Sequence, residues 1–132
     1  LPLHIIGPGG LENSVRALLA LAYPLTSPDV FLERANVAFQ EVRPGDQIQT
    51  DRYTGNVVDM DHGRMPALGF AIEAKSTTVL FTGDGRPGPA MVAALAEAQH
   101  WVVNTPTRQE PLDAHASLDT YLDLIDPSVP PK

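Results

Sequence analysis

The stretch that most constrains the fold of this chain is Thr78-Val79-Leu80-Phe81-Thr82-Gly83-Asp84-Gly85-Arg86-Pro87. Its β-branched and aromatic start reads as a buried strand, and Gly-Asp-Gly stops that strand abruptly. A Pro-Gly-Pro break then leads into an Ala-rich helical pattern from Pro89 to His100, with Met91, Val92, Leu95 and Ala98 on its buried side. One carboxylate, Asp84, is thereby delivered to the end of a sheet, and the flanking glycines allow a sharp turn and a close approach. A turn aspartate capping the next helix would read the same way. What raises Asp84 above that reading is His62, which ends an earlier strand and is followed by Gly63.

The rest of the chain supplies the sheet and its cover. Leu3 to Ile6 is a short apolar strand stopped by Gly7-Pro8-Gly9-Gly10, and a helix follows with Leu11, Val15, Leu18, Leu19 and Ala22 at helical spacing. The glycine-rich turn lacks both the Walker Lys-Ser/Thr and the Gly-x-Gly-x-x-Gly spacing, so it reads as a plain strand-to-helix turn rather than a phosphate cradle. Residues 25–36 form a Pro-containing connection with one helical turn around Val30-Phe31-Leu32. Val37 to Val42, Gln47 to Thr50, Asn56 to Asp61 and Gly69 to Glu73 read as strands, separated by turns at Pro44-Gly45-Asp46 and His62-Gly63. Trp101 to Asn104 is a further short strand, and a last helix runs from about His115 to Ile125. Consecutive strands with short turns, then helix, strand and helix, predict an α/β (α+β) fold with a mixed sheet and helices on one face. The expected organisation is one partial domain over 1–126 and a disordered proline-rich tail over 127–132.

Composition narrows the chemistry. The chain has 132 residues, 43% hydrophobic and 19% charged, which suits one globular core. A net charge of −7 argues against strong nucleic-acid binding. Without cysteine, a metal could be held only by histidine and carboxylate. No run approaches the roughly 18 apolar residues of a membrane span, and no signal peptide is visible, so no membrane partner and a cytoplasmic location are expected. The chain opens Leu1-Pro2-Leu3 without an initiator Met, which suggests a piece of a longer protein.

Three polar residues fall where strand or helix ends could converge: His62, Asp84 and His115. Imidazole and carboxylate suit zinc or iron. Each residue taken alone also has a structural reading, and for His115 that reading is an exposed loop histidine. His100 closes a helix, where a cation suits the dipole, and His4 is core or edge. Arg64 and Arg86, each two residues beyond a candidate ligand, could hold an anionic substrate group or could be solvated surface charges. Asp59 and Asp61 alternate onto one strand face, which reads as solvated.

The order of segments resembles the metallo-β-lactamase superfamily, in its ribonuclease Z-like branch. His62-Gly63-Arg64-Met65-Pro66-Ala67-Leu68-Gly69-Phe70-Ala71-Ile72 looks like the third metal motif, and Phe81 to Pro87 resembles the Ser/Thr-Gly-Asp-Thr motif whose Asp bridges two metals. Leu3 to Pro8 is similar to the strand–Gly-Pro–helix segment after the first metal motif, and Val37 to Asp46 to a further family stretch. His115-Ala116-Ser117 resembles the His-Ser/Ala-Ser/Thr element that assists the leaving group. The resemblance implies His62 as a ligand of one metal, Asp84 as the bridging ligand and His115 as a catalytic acid or hydrogen-bond donor outside the ligand set. It further implies half of an αβ/βα sandwich and two divalent metals, zinc above all, activating water against a phosphodiester, another ester or a lactam-like bond.

The departures are as informative. The His-x-His-x-Asp-His hallmark is absent, a metal His expected on a strand after the last helix is absent, Asn104 stands where relatives have His or Glu, and Gly85 replaces Thr. With two ligands counted, this chain alone is expected to bind metal weakly or not at all, and to be inactive. Small-molecule or phosphodiester substrate, and a missing half-domain or a second copy, are the expected partners. The alternative is a non-catalytic module of the same fold that has lost its metal and serves binding or pairing.

Overall fold

The computed structural model describes residues 2–109 and 112–125, so the proline-rich tail expected from residue 127 onward lies outside the described residues. The chain divides into two compact units, residues 1–42 and 43–132.

In the first unit, β1 (Leu3–Gly7) pairs in parallel with β2 (Val37–Glu41), and α1 (Leu11–Ala22) and α2 (Pro28–Arg34) lie between them in sequence. The connection expected to hold one helical turn therefore holds a seven-residue helix. The sequence carries the signals for it: Pro28 opens the helix, and the Ser27 hydroxyl accepts a hydrogen bond from the Asp29 amide at 3.3 Å. Arg16 on α1 bonds Glu12 one turn back at 2.8 Å and Asp29 of α2 at 2.6 Å, which ties the two helices. At the glycine-rich turn, the Gly10 amide donates to Glu41 Oε1 at 2.8 Å. A carboxylate thus occupies the donor that a phosphate would need.

The second unit carries the site. Its sheet runs in the order β3 (Gln47–Gln49), β4 (Thr54–Asp61), β5 (Ala67–Ala74), β6 (Thr77–Phe81) and β8 (His100–Val102). The two-residue strand β7 (Arg86–Pro87) pairs with the end of β4, joining Met60 to Pro87 and Asp61 to Arg86. All pairings are antiparallel except β6 with β8, so the sheet is mixed as expected. The parallel pair follows from the intervening helix α3 (Pro89–Glu97), since returning a strand in the same direction requires a crossover.

One face of the sheet is closed by α3 and by α4 (Leu118–Ile125). Val58 and Met60, two residues apart on β4, share a face and pack with Leu80 of β6, Met91 and Leu95 of α3, and Ala116 and Tyr121. Leu80, Met91 and Leu95 are all at most 1% exposed, and burying each contributes about 1.5–3 kcal/mol. Both helices are shorter than the sequence pattern suggests. The first ends at Glu97, so His100 opens a strand rather than closing a helix. The second begins at Leu118, three residues after His115. Ser117 explains that start: its hydroxyl accepts from the Thr120 amide at 3.2 Å, and the Thr120 hydroxyl accepts from the Ser117 amide at 3.3 Å. This reciprocal pair is a capping box built with threonine.

Candidate metal centre

Three chain segments end at one point. His62 follows the last residue of β4, Asp84 sits in the turn between β6 and β7, and His115 lies just ahead of α4. The two glycines beside Asp84 fix the turn. Gly83 has φ 66°, and a Cβ there would overlap the Leu68 carbonyl oxygen. Gly85 has φ 125°, and a Cβ there would lie 2.8 Å from the Asp61 carbonyl oxygen and 3.3 Å from His62 Cβ. A side chain at either position would meet both the left-handed penalty and a backbone clash. Gly85 is therefore what this backbone requires.

The same turn holds His115. The Gly85 carbonyl accepts from the Ala116 amide at 3.2 Å, while the Leu118 and Asp119 amides donate to the carbonyls of Thr107 and Arg108 at 3.0 and 2.9 Å. The Leu118 and Asp119 bonds satisfy first-turn amides that a helix leaves unpaired, and the Ala116 bond fixes the residue next to His115 against Gly85.

The resulting distances are short. His62 Nε2 lies 3.2 Å from His115 Nε2, and the two rings meet edge to face with centroids 4.8 Å apart. Asp84 Oδ2 is 3.4 Å from His62 Nε2, and Asp84 Oδ1 is 3.1 Å from His115 Nε2. One donor atom from each residue falls within a 4.8 Å group. A tetrahedral zinc with bonds of about 2.0–2.1 Å separates neighbouring ligand atoms by about 3.3 Å. The imidazole nitrogens already stand at that spacing, and each carboxylate oxygen faces one of them. The residues fit a divalent cation of the zinc type. Side-chain exposure rises from 13% at His62 to 34% at His115 and 48% at Asp84, so the cluster opens to solvent on its carboxylate side.

The remaining sequence-derived candidates stay apart. Arg64 and Arg86 are exposed, and neither forms an ion pair among the described residues. Asp59 and Asp61 are exposed, and Asp61 Oδ1 accepts from the Gly63 amide at 3.0 Å, which shapes the turn after His62.

Three more residues lie at the site: Thr82, present in the sequence motif without a role, Asn104, legible there only as a departure from relatives, and Tyr121, which the sequence reading missed. Thr82 is completely buried under the turn; its amide donates to the Val102 carbonyl at 3.1 Å, and its hydroxyl accepts from the Asn104 amide at 3.1 Å. Asn104 Nδ2 reaches 3.5 Å from Asp84 Oδ1. Tyr121, 1% exposed, carries a buried hydroxyl without a hydrogen-bond partner among the described residues. Burial pushes its phenol above the usual value and the Asp84 charge adds to this, while the nearby Thr82 hydroxyl acts the other way. The sequence signals for these were a lone threonine ending an apolar strand and a tyrosine on the apolar side of the last helix.

Comparison with known proteins agrees with this architecture. Three solved structures align over most of the chain. They are the metallo-β-lactamase fold protein YhfI from Bacillus subtilis (13% identity, 88% of this chain and 44% of that one, TM-score 0.63), a diphosphatase from the PhnP family (16%, 94% and 43%, 0.62) and zinc-bound PqqB from Methylobacterium extorquens (17%, 83% and 35%, 0.52). The fold is that of the metallo-β-lactamases. In sequence, ribonuclease Z of Mycobacterium sp. (strain KMS) is 31% identical over 115 residues, which is 83% of this chain and 40% of the relative; strains JLS and MCS match equally. The chain has the metallo-β-lactamase fold and a sequence similar to ribonuclease Z, and it spans 40% of the length of those relatives. No family model matches it.

Proposed function

We propose that this chain supplies a three-donor metal site, His62, Asp84 and His115, to a metal-dependent hydrolase acting on phosphodiesters. The observation that carries this reading is the convergence of the three donor groups at ligand spacing. On this reading His115 takes a different role from the one that the resemblance implied. With its Nε2 as close to Asp84 as His62 is, His115 fits direct coordination better than the outer acid or donor role that the resemblance implied. Three donors rather than two meet the usual count of a catalytic zinc site, which leaves one position for water or substrate.

A cation bound there supplies Lewis acidity towards a phosphoryl oxygen and activation of water. The chain's own residues do the rest. Both imidazoles must offer Nε2 as a lone pair, so each keeps its proton on Nδ1. Asp84 contributes the negative charge that offsets the cation, and its solvent-facing side leaves room for an anionic group. The phosphodiester preference draws on the ribonuclease Z relatives and on the PhnP-family diphosphatase, which share this chain's sequence and fold features respectively. A dimetal centre needs more ligands than these three, and the relatives are longer than this chain, so turnover by the chain alone is expected to be poor.

Cobalt(II) substitution tests the reading without requiring turnover. The chain loaded with cobalt should show the visible band of a low-coordinate N/O site, and dimethyl phosphate should shift that band at lower concentration than acetate does. Asp84→Ala should show neither effect. No cobalt band, or a stronger response to acetate than to the diester, would overturn the proposal.

A further inference from the structure

The buried threonine under the Gly-Asp-Gly turn and the exposed asparagine beyond β8 form one connected arrangement. Thr82 is the hinge of it. Its amide bonds the end of β8 through the Val102 carbonyl, and its hydroxyl donates to the Gly83 carbonyl at 3.2 Å while accepting from the Asn104 amide at 3.1 Å. A hydroxyl has one proton to donate and two lone pairs to accept with. Here the proton holds the turn that carries Asp84, and a lone pair holds the backbone of Asn104. Asn104 is thereby anchored at its main chain, and its side-chain amide is directed to Asp84 Oδ1, the oxygen that also faces His115.

We propose that Thr82 and Asn104 are positioning residues for the Asp84 carboxylate, with Asn104 Nδ2 orienting Oδ1 so that each carboxylate oxygen meets one imidazole. This rests on the metal-site reading above. An amide donor suits that task because it can pair with an anion that also serves a cation, and it brings no charge of its own to compete for the site. Tyr121 and Thr82 are both buried, and the Tyr121 phenol is close enough to the Thr82 hydroxyl to be influenced by it.

Partners of this kind typically change metal affinity by 10–100-fold when removed. The test is zinc affinity of the full chain, measured by competition with a chromophoric chelator, alongside the thermal midpoint of the metal-free chain. Asn104 is exposed, so Asn104→Ala should leave the metal-free midpoint in place and weaken zinc binding by about tenfold. Thr82→Val, which keeps the shape and removes the hydroxyl, should weaken zinc binding at least as much, and Thr82→Ser should restore it. Zinc binding by Asn104→Ala equal to wild type, or no recovery in Thr82→Ser, would overturn this inference alone. A wild-type chain that binds no zinc would overturn the metal-site reading and this inference together.

Discussion

Gly85→Ala is expected to damage both stability and metal binding, because one backbone position serves both. At φ 125° an alanine carries a backbone cost of about 1–3 kcal/mol. Its Cβ would also sit 2.8 Å from the Asp61 carbonyl oxygen, 3.1 Å from the Asp61 carbonyl carbon and 3.3 Å from His62 Cβ. Relieving such contacts in a packed region costs about 1–3 kcal/mol more. Gly45→Ala provides the control: it has φ 90° but nothing within 4 Å of the new methyl group, so it carries the backbone cost alone. The difference between the two variants isolates the clash. For a unit of this size each kcal/mol moves the thermal midpoint by about 4–8 °C, so Gly85→Ala should melt about 5–20 °C below Gly45→Ala by circular dichroism. Because the Gly85 carbonyl holds the Ala116 amide, zinc affinity should fall by about tenfold in Gly85→Ala and stay unchanged in Gly45→Ala. Equal midpoints for the two variants, with zinc affinity intact in both, would refute the packing explanation of this glycine.

Three further outcomes follow from the fold. Leu95→Ala removes a side chain that is 1% exposed between helix and sheet, and should cost about 2–5 kcal/mol in urea unfolding; a loss under about 1 kcal/mol would mean that α3 is not seated as described. Tyr121 has a phenol pKa raised by burial, so the folded state holds the proton more tightly than the unfolded chain does. Its contribution is fully present below about pH 10 and is lost as pH rises through the folded value, so Tyr121→Phe should flatten the fall in stability above about pH 10; identical alkaline profiles would contradict this. Inorganic phosphate should leave the Gly9 and Gly10 amide resonances unmoved, because Glu41 occupies that turn, and a saturable shift there would show that the turn binds anions after all.

Much of this was legible in the sequence, for identifiable reasons. The alternation Val58-Asp59-Met60-Asp61 specifies a half-buried strand, and the apolar spacing of α3 specifies its face, because burial period is written directly into residue type. The Gly-Asp-Gly tip was visible because glycine is rarely placed on both sides of a carboxylate without a backbone reason. Other features depend on partners far away in the chain. The two-residue strand β7 exists only because Arg86 and Pro87 lie against the end of β4, which no local pattern encodes. The start of α4 at Leu118 is set by a Ser117–Thr120 box whose second member is threonine instead of the Glu or Gln that usually signals it. The convergence of His62, Asp84 and His115 was legible as strand and helix ends, but the contact that seats His115, 53 residues beyond His62, was not, because the Gly85–Ala116 bond leaves no local pattern.

The most direct test of the central claim is native mass spectrometry of the full chain with limiting zinc, run on wild type and on His62→Ala, Asp84→Ala and His115→Ala. The expected result is one zinc on the wild-type chain and none on any of the three variants. A wild-type chain that retains no zinc, or a His115→Ala variant that retains it as the wild type does, would contradict the three-donor site.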